Sequence, residues 1–300
     1  MTYDCIIVGG GIAGLQGAIQ LGRYQHHTLV IDAQDGRSTL CQSYHNILGW
    51  PDGVSGMELR NKGRAQAEKL GVQFTKGEVI RVESTSEGFH LHTAEGEVYA
   101  GKRLLLATGV RDRIPPELHA LLPCLGISVY ICPDCDGYEI RKKETVVIGS
   151  GSTGATMALT LHYWTPHITY INHEHRDVNP KLLEEMKTKG IVYVQDSVEE
   201  FHIKEGYQLS QIKLNNGTRL HTDGTFLAFG GNVVKSTLAA QLGVEMLENK
   251  HILVDARTKL TSVKHVWAAG DVVAHSEQVT IAMGEGAQAA IWIHKSLLQG

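Results

Sequence analysis

Short apolar runs that end in glycine or in an acid recur along this chain of 300 residues, and they predict buried parallel strands. The first run, DCIIVG at residues 4–9, is followed by an amphipathic stretch that predicts a helix over 12–24, and then by a second run at 27–32. The same order of strand, helix and strand returns at 144–148, 155–163 and 168–171. Two such βαβ units predict an α/β protein.

Segments with alternating apolar and polar residues follow each unit and predict short strands in a β-meander. They lie at 79–82, 89–93 and 98–99 in the first half, and at 192–194, 207–214 and 226–229 in the second. A further buried strand is predicted at 104–108 and a last helix at 279–298. Each half is therefore predicted to be a Rossmann-like unit followed by a meander, with crossings between domains near 111–118 and 243–249.

The composition narrows the class of protein. Hydrophobic residues make up 42% of the chain and the formal charge is -4, which is typical of a globular protein and predicts neither a nucleic-acid partner nor a basic membrane-binding patch. The N-terminus lacks the pattern of a signal peptide, and no window is apolar enough to span a membrane, so we expect a cytoplasmic protein. Five cysteines are too few for a disulfide scaffold, which fits a reducing compartment.

The first βαβ unit carries a G-x-G-x-x-G pattern at Gly9, Gly11 and Gly14. The first glycine permits a tight turn, the second lets the backbone approach a pyrophosphate, and the third lets the helix pack on the strand. Asp32 ends the second strand 18 residues beyond Gly14, where a carboxylate can bind a ribose hydroxyl. The complete unit predicts a dinucleotide site.

The second βαβ unit repeats the pattern and supplies a candidate second nucleotide site. Its residues are Gly149, Gly151, Ser152, Thr153 and Gly154. Binding of NADPH needs arginines after the second strand to pair the 2′-phosphate, but that stretch reads Asn-His-Glu-His-Arg, with Glu174 where the phosphate would lie and Arg176 alone. NADH and an empty site both remain open, and use of NAD(P)H is uncertain.

Two cysteines stand two residues apart in CPDCDGYE, residues 132–139. Three interpretations of this pair are a metal site, a structural disulfide and a redox-active pair. Zinc would need two more cysteine or histidine ligands at matching spacing, and Cys5, Cys41 and Cys124 are single, so we predict no metal site. The spacing suits a thiolate and rapid disulfide exchange, and the acid that follows can return a proton to a departing thiolate.

Taken together, the motifs resemble those of the low-molecular-weight thioredoxin reductase family of flavoproteins. They are GGGIAG at 9–14, LLLATG at 104–109, CPDCDGYE at 132–139, VIGSGSTG at 147–154, VWAAGDV at 266–272 and QVTIAMGEGAQAA at 278–290. The resemblance implies two Rossmann-like nucleotide-binding domains with three-layer ββα architecture. It also implies a discontinuous FAD domain at 1–113 and 244–300 and a central domain at 114–243 that carries the cysteine pair.

The resemblance also implies roles for individual residues. Cys135 would face the flavin, Cys132 would exchange with an external disulfide, and Asp136 would move the proton. FAD would contact the first glycine-rich turn, the strand ends and the N-terminus of the last helix. The residues implied are Gly9, Gly11, Ile12, Ala13, Gly14, Asp32, Asn46, Val79, Thr108, Gly109, Gly270, Asp271, Gln278 and Val279.

Three stretches depart from the family pattern. The arginines for NADPH are absent, a Gly-Gly-Gln segment is replaced by residues 34–44, and Gly-x-x-Pro-Asn-Thr is replaced by residues 230–237. The resemblance therefore predicts a disulfide reductase with an unorthodox donor such as reduced ferredoxin, acting on a thioredoxin-like protein or a small disulfide. An oxygen-dependent oxidase that forms a disulfide in a small dithiol is the alternative, and a flavin-binding redox sensor is a third reading. A homodimer is expected from the resemblance.

Overall fold

The computed structural model describes residues 2–274 and 276–299. Its strands are β1 Thr2–Val8, β2 Thr28–Asp32, β3 Gln73–Lys76, β4 Val79–Thr85, β5 Gly88–Thr93, β6 Val98–Leu106, β7 Val110–Arg111, β8 Val129–Tyr130, β9 Thr145–Gly149, β10 Ile168–Asn172, β11 Val192–Val194, β12 Val198–Lys204, β13 Gln208–Leu214, β14 Arg219–His221, β15 Gly224–Ala228, β16 Val233–Val234 and β17 Val266–Ala268. Its α-helices are α1 Ile12–Arg23, α2 Gly56–Glu68, α3 Pro133–Asp136, α4 Gly151–Leu161, α5 Pro180–Thr188, α6 Thr237–Gln241 and α7 Val279–Leu298. No helix among these residues combines the length and the hydropathy that crossing a membrane requires.

The chain divides into two compact units. The first comprises the residues up to Thr39, Gly56–Arg111 and the residues from Asn232 onward, and the second comprises Leu40–Ser55 and Asp112–Gly231. The predicted domain boundaries differ from these units at 40–55, 112–113 and 232–243, and as domain boundaries they stay a prediction. The physical reason for the difference is local pairing: Gln42 N–H donates to the Leu125 carbonyl (2.8 Å), and β16 pairs with β7.

The first unit is built on a mixed sheet in the order β3-β2-β1-β6-β5-β4, with β17 also paired to β6. Strands β1, β2, β3, β6 and β17 are parallel, and β4 and β5 add an antiparallel meander. Alternate residues of β1 enter two different cores. Ile6 packs with the meander residues on one face, whereas Ile7 packs with α1 and α7 on the other. This is the three-layer arrangement that the resemblance implied.

The second unit repeats the parallel core in the order β11-β10-β9-β15-β8, accompanied by a separate antiparallel sheet of β12, β13 and β14. Strand β9 is buried at every position, which explains why its sequence, TVVIG, shows no alternation. The α/β class with two Rossmann-like units, predicted from the sequence, is confirmed.

Several predicted elements have different bounds in the structure. Residues 98–99 and 104–108 are not separate strands, because β6 is continuous from Val98 to Leu106 and pairs with β5 at one end and with β17 at the other. The predicted meander strands at 192–194 and 226–229 instead correspond to β11 and β15, which pair with neighbours in the parallel sheet. The last helix has the predicted limits.

Candidate functional site

The first glycine-rich turn connects β1 to α1 and leaves open space beside its middle glycine. Gly9 has a φ of +104°, and a Cβ there would lie 2.3 Å from the Ala107 carbonyl oxygen, so both its conformation and its packing require glycine. A Cβ on Gly11 would meet no atom within 4 Å. Gly11 is the N-cap of α1 and no side chain caps the helix there. The turn therefore presents a helix N-terminus with room for a phosphate group.

The acid at the end of β2 is fixed in place by two partners. Asp32 Oδ1 accepts the Gly10 N–H at 3.0 Å, and its Oδ2 pairs with Arg60 Nη2 at 2.6 Å. Arg60 is buried and comes from the middle of α2. Reasoning from the sequence missed Arg60, because nothing in the spacing of a charged residue within an amphipathic helix marks it as the partner of a distant strand end.

The carboxyl ends of the parallel strands bring several predicted cofactor residues together. The Cβ position of Gly9 is 3.3 Å from the Thr108 Cα, and that of Gly270 is 2.8 Å from the Ala13 Cβ. Asp271 pairs with Arg37 at 3.0 Å, and Arg37 also pairs with Glu277 at 2.5 Å. Ligands bind at this edge of an open parallel sheet, so the gathering fits a dinucleotide.

The remaining predicted cofactor residues lie in varied surroundings. The Thr108 hydroxyl donates to the Lys235 carbonyl at 2.6 Å, and Val79 is buried in the core behind the meander. Gln278 is the N-cap of α7, whose first residue is Val279. Asn46 is exposed and belongs to the second unit. Their roles toward FAD stay predictions.

Gly270 also depends on a buried acid that the sequence reading did not single out. Glu285, from α7, accepts the Gly270 N–H at 2.9 Å and pairs with Lys259 at 2.9 Å. Its only signal in the sequence is a charged residue between two glycines, GEG, in an otherwise apolar helix.

The second glycine-rich turn, between β9 and α4, is covered by the residues that follow β10. A Cβ on Gly149 would lie 2.4 Å from the Ala228 carbonyl oxygen, matching the packing of Gly9. A Cβ on Gly151, however, would lie 2.9 Å from the Asp177 carbonyl oxygen and 3.2 Å from the Arg176 Cβ. The Ser152 hydroxyl accepts the Asn179 N–H at 2.9 Å. The segment that follows β10 therefore packs directly on this turn.

The side chain at the end of β10 reinforces this closure. Asn172 Oδ1 accepts the Gly151 N–H at 2.9 Å, while its Nδ2 donates to the Arg176 carbonyl at 2.7 Å. One buried amide thus joins the turn to the segment above it.

An ion cluster lies at the same place. Glu174 pairs with Arg113, and its Oε2 lies 3.3 Å from Arg176 Nε. Burial on its own raises the pKa of Glu174, but the hydrogen bond and charge of Arg113, helped by Arg176, lower the pKa below its ordinary value. The two arginines are thus engaged by a carboxylate of the protein itself. The sequence pointed to Glu174 and Arg176 but missed Arg113, which lies 61 residues earlier.

The two histidines beside Glu174 differ in their exposure, and His175 is the exposed one. His173 is buried, and its Nδ1 accepts the Val198 N–H at 2.9 Å. His175 Nε2 lies 3.0 Å from the Ser197 hydroxyl. Within residues 2–274 and 276–299, no three His, Cys, Asp or Glu side chains form a group that could hold a metal ion.

The cysteine pair opens the short helix α3. Cys132 is the N-cap, and its Sγ accepts the Cys135 N–H at 3.2 Å. A hydrogen bond from the Cys135 thiol, opposed by burial and by the charges of Asp136 and Asp134, lowers the pKa of Cys132. The lowered pKa favours the thiolate form of Cys132, which is the form that attacks a disulfide.

Asp136 has a raised pKa, which allows its carboxyl group to carry a proton near neutral pH. Burial, and then the negative charge of Glu139, raises the pKa of Asp136 to about 7. Among the other cysteines, Cys5 and Cys124 are buried in the cores, where burial raises the pKa of both thiols. Burial also raises the pKa of Cys41 to about 12.

Comparison with known proteins agrees with this geometry. The family model described as pyridine nucleotide-disulphide oxidoreductase matches residues 3–286. A thioredoxin reductase of Treponema pallidum is 32% identical, with 96% of this chain and 95% of that protein covered. A bifunctional thioredoxin reductase/thioredoxin of Mycobacterium leprae is 29% identical, with 96% of this chain and 64% of that protein covered.

A solved structure has the same fold. The crystal structure of an oxidoreductase from Agrobacterium tumefaciens superposes with a TM-score of 0.78 at 28% identity, with 100% of this chain and 99% of that chain covered. The chain therefore belongs to the pyridine nucleotide-disulphide oxidoreductase family, and within it to the thioredoxin reductase-like flavoprotein disulfide oxidoreductases.

Proposed function

We propose that this enzyme exchanges two electrons between FAD and an external disulfide or dithiol through Cys132 and Cys135, without a pyridine nucleotide as its electron donor. The observation that carries the proposal is the contrast between its two glycine-rich turns. The space beside Gly11 is open, whereas the space beside Gly151 is filled by Arg176 and Asp177.

The first unit fits FAD. The backbone at Gly9–Gly14 would hold the pyrophosphate, Asp32 would bind the adenosine ribose, and Asp271 would bind the ribityl chain. FAD, when bound, supplies a two-electron carrier that can accept electrons from a dithiol or donate them to a disulfide. The other proposed FAD residues of this unit are Thr108, Gly109, Val79, Gly270, Gln278 and Val279, and Asn46 stays a prediction from the resemblance.

The cysteine pair would perform disulfide exchange. The Cys132 thiolate attacks one sulfur of the external disulfide, the S–S bond of that substrate breaks, and the departing sulfur takes a proton from Asp136. Cys135 then attacks Cys132 Sγ, and its thiol proton passes to the second substrate sulfur, which is released as the Cys132–Cys135 disulfide closes. Two electrons have moved from the enzyme to the substrate, and the reverse sequence would form a disulfide in a dithiol substrate.

The second unit does not fit NADPH. A pyrophosphate needs the space beside the middle glycine of the turn, and a 2′-phosphate needs free guanidinium groups. Here the chain itself occupies that space, and Glu174 engages both Arg113 and Arg176. A donor such as reduced ferredoxin would not need a nucleotide site at the second glycine-rich turn.

A thioredoxin-like protein is the proposed substrate of the reductase. The Mycobacterium leprae relative is a bifunctional thioredoxin reductase/thioredoxin, which supports this partner. The closed second turn equally favours the reverse direction, in which a small dithiol is oxidised and oxygen accepts the electrons. The enzyme would then be a dithiol oxidase.

Anaerobic titration of the purified holoprotein tests the proposal and separates its two directions. We expect no bleaching of the visible flavin band by NADPH or NADH, and full bleaching by dithiothreitol. Bleaching by reduced ferredoxin supports the reductase, whereas rapid reoxidation in air with a small dithiol supports the oxidase. Rapid bleaching by NADPH would overturn the assignment of the donor. Unchanged bleaching by dithiothreitol in Cys135→Ser would overturn the role of the cysteine pair.

A further inference from the structure

His45 lies beside the redox motif with one ring nitrogen buried and unsatisfied. Its Nε2 is 3.0 Å from the Ser43 hydroxyl, which holds the ring in place. Its Nδ1 is buried and has no hydrogen-bond partner among the described residues, yet it lies 3.9 Å from Glu139 Oε1. A buried polar atom without a partner is costly, so this arrangement needs an explanation.

Glu139 connects His45 to the proton donor. It stands three residues after Asp136, across one helical turn formed by α3 and the 3₁₀ segment Gly137–Ile140. Residues at this spacing are neighbours on a helical surface. The Glu139 charge acts on Asp136, and the charges of both carboxylates act on the buried Tyr130. The two carboxylates and His45 therefore form one electrostatic cluster within the second unit.

We propose that His45 and Glu139 are positioning residues that set when Asp136 gives up its proton. The inference rests on the proposed function, in which Asp136 protonates the departing substrate sulfur. Burial, and in addition the charge repulsion of an ionised Glu139, keeps the proton on Asp136. A proton on His45 Nδ1 would bond to Glu139, offset that charge and release the Asp136 proton.

Within residues 2–274 and 276–299, the charge that acts on Asp136 is that of Glu139, and it is negative. The titratable groups that act on Asp136, or that its charge acts on, are Glu139, Tyr130, Cys132 and Cys41. Each is neutral or negative. Ser43 and Glu139 are the groups that face the His45 ring nitrogens. His45 is therefore the group in this cluster that can add a positive charge.

The pH profile of Cys132 alkylation by iodoacetamide in the reduced holoprotein tests the inference. The Asp136 charge acts on Cys132, so ionisation of Asp136 should appear as an inflection near pH 7 that Asp136→Asn removes. In Glu139→Gln we expect this inflection to move down by about 0.5–1 pH unit, because a neighbouring negative charge is gone. In His45→Gln the inflection should move up by a smaller amount. When His45→Gln is added to Glu139→Gln, it should cause no further upward shift.

Glu144→Gln is the matched control. Glu144 lies 3.8 Å from His167 in an exposed pair of the same unit, and its replacement should leave the inflection in place. The inference is overturned if the inflection stays fixed in a Glu139→Gln protein that melts like wild type, or if Glu144→Gln moves it equally. Alkylation does not depend on electron transfer to the flavin. Failure of dithiothreitol to bleach the flavin would therefore remove the proposed function and leave this result standing.

Discussion

The two glycine-rich turns share a spacing and a strand contact, but they differ in what lies beside the middle glycine. Gly9 and Gly149 both lie so close to a neighbouring strand carbonyl that a side chain would not fit. Gly11 faces open space, whereas Gly151 faces Asp177 and Arg176. The G-x-G-x-x-G spacing is therefore related to the conformation of the turn. Space for a ligand beside the middle glycine depends on another segment, which at the second turn contains Arg176 and Asp177.

The strand-end side chains explain how that segment is held. Asp32 bonds to a glycine N–H of its turn and to Arg60, which comes from another helix. Asn172 bonds to a glycine N–H of its turn and to the Arg176 carbonyl, which belongs to the covering segment. A carboxylate cannot donate to a carbonyl, so the amide suits a closed turn, and the acid suits one that binds a ribose.

The largest expected effect is the loss of FAD from Gly11→Val. The valine side chain would fill the space proposed for the pyrophosphate, so FAD affinity should fall by about 100-fold, or about 2.7 kcal/mol. Fluorescence titration of the apoprotein with FAD measures the loss. Unchanged affinity, in an apoprotein with unchanged melting temperature, would show that the open turn is not the FAD site.

The corresponding change in the second turn should alter stability rather than cofactor content. In Gly151→Ala the Cβ would collide with the Asp177 carbonyl oxygen at a φ of +51°, which should cost about 1–3 kcal/mol of unfolding free energy. Urea unfolding measures the cost, and the visible spectrum reports the FAD content. A loss of FAD with no loss of stability would reverse the roles of the two turns.

Charge reversal at Glu174 tests whether charge alone closes the second turn. Glu174→Arg removes the acceptor of Arg113 and Arg176 and adds a third guanidinium, so stability should fall by about 1 kcal/mol. NADPH should still fail to bleach the flavin, because Arg176 and Asp177 still cover Gly151. Bleaching by NADPH in this variant would show that the covering segment is no barrier.

The smallest expected effect is the pH dependence of the Glu174 pair. The pKa of Glu174 is lower in the folded protein than in the unfolded chain, so the pairing adds stability above the unfolded pKa and loses it as pH falls through the folded pKa. Wild type should therefore exceed Glu174→Gln by about 0.5 kcal/mol at pH 7. The difference should begin to shrink as pH falls below the ordinary glutamate pKa of about 4.3, and it should be lost once the pH is below the lowered pKa of the folded state. An advantage that grew toward low pH would contradict the ion pair.

Local patterns were enough to predict much of this molecule. The apolar runs, the glycine spacing and the amphipathic stretches predicted both βαβ units and the limits of α7. They did not predict that 98–99 and 104–106 belong to one strand, because β6 pairs with β5 along one part and with β17 along another. A strand that changes partners along its length has no single period of burial.

The candidate site shows the same division. Cys132, Cys135 and Asp136 are adjacent in the sequence, so their motif could be recognised directly. Other residues come from segments that are distant in the sequence, and no sequence spacing predicts their contacts. They are Arg60, Arg113, His45 and Glu285. Each matters through an electrostatic or hydrogen-bonding partner, and such partners are chosen by the packing of the fold.

The sequence by itself determined the α/β class, the two turns, the redox pair and, through Glu174, the doubt about NADPH. Only the tertiary structure decided which turn is open, because access depends on where the residues after β10 come to rest. The hydrogen bonds and close contacts that cover the second turn join segments more than 20 residues apart, as between Gly151 and Asn172. A local sequence motif does not predict such contacts.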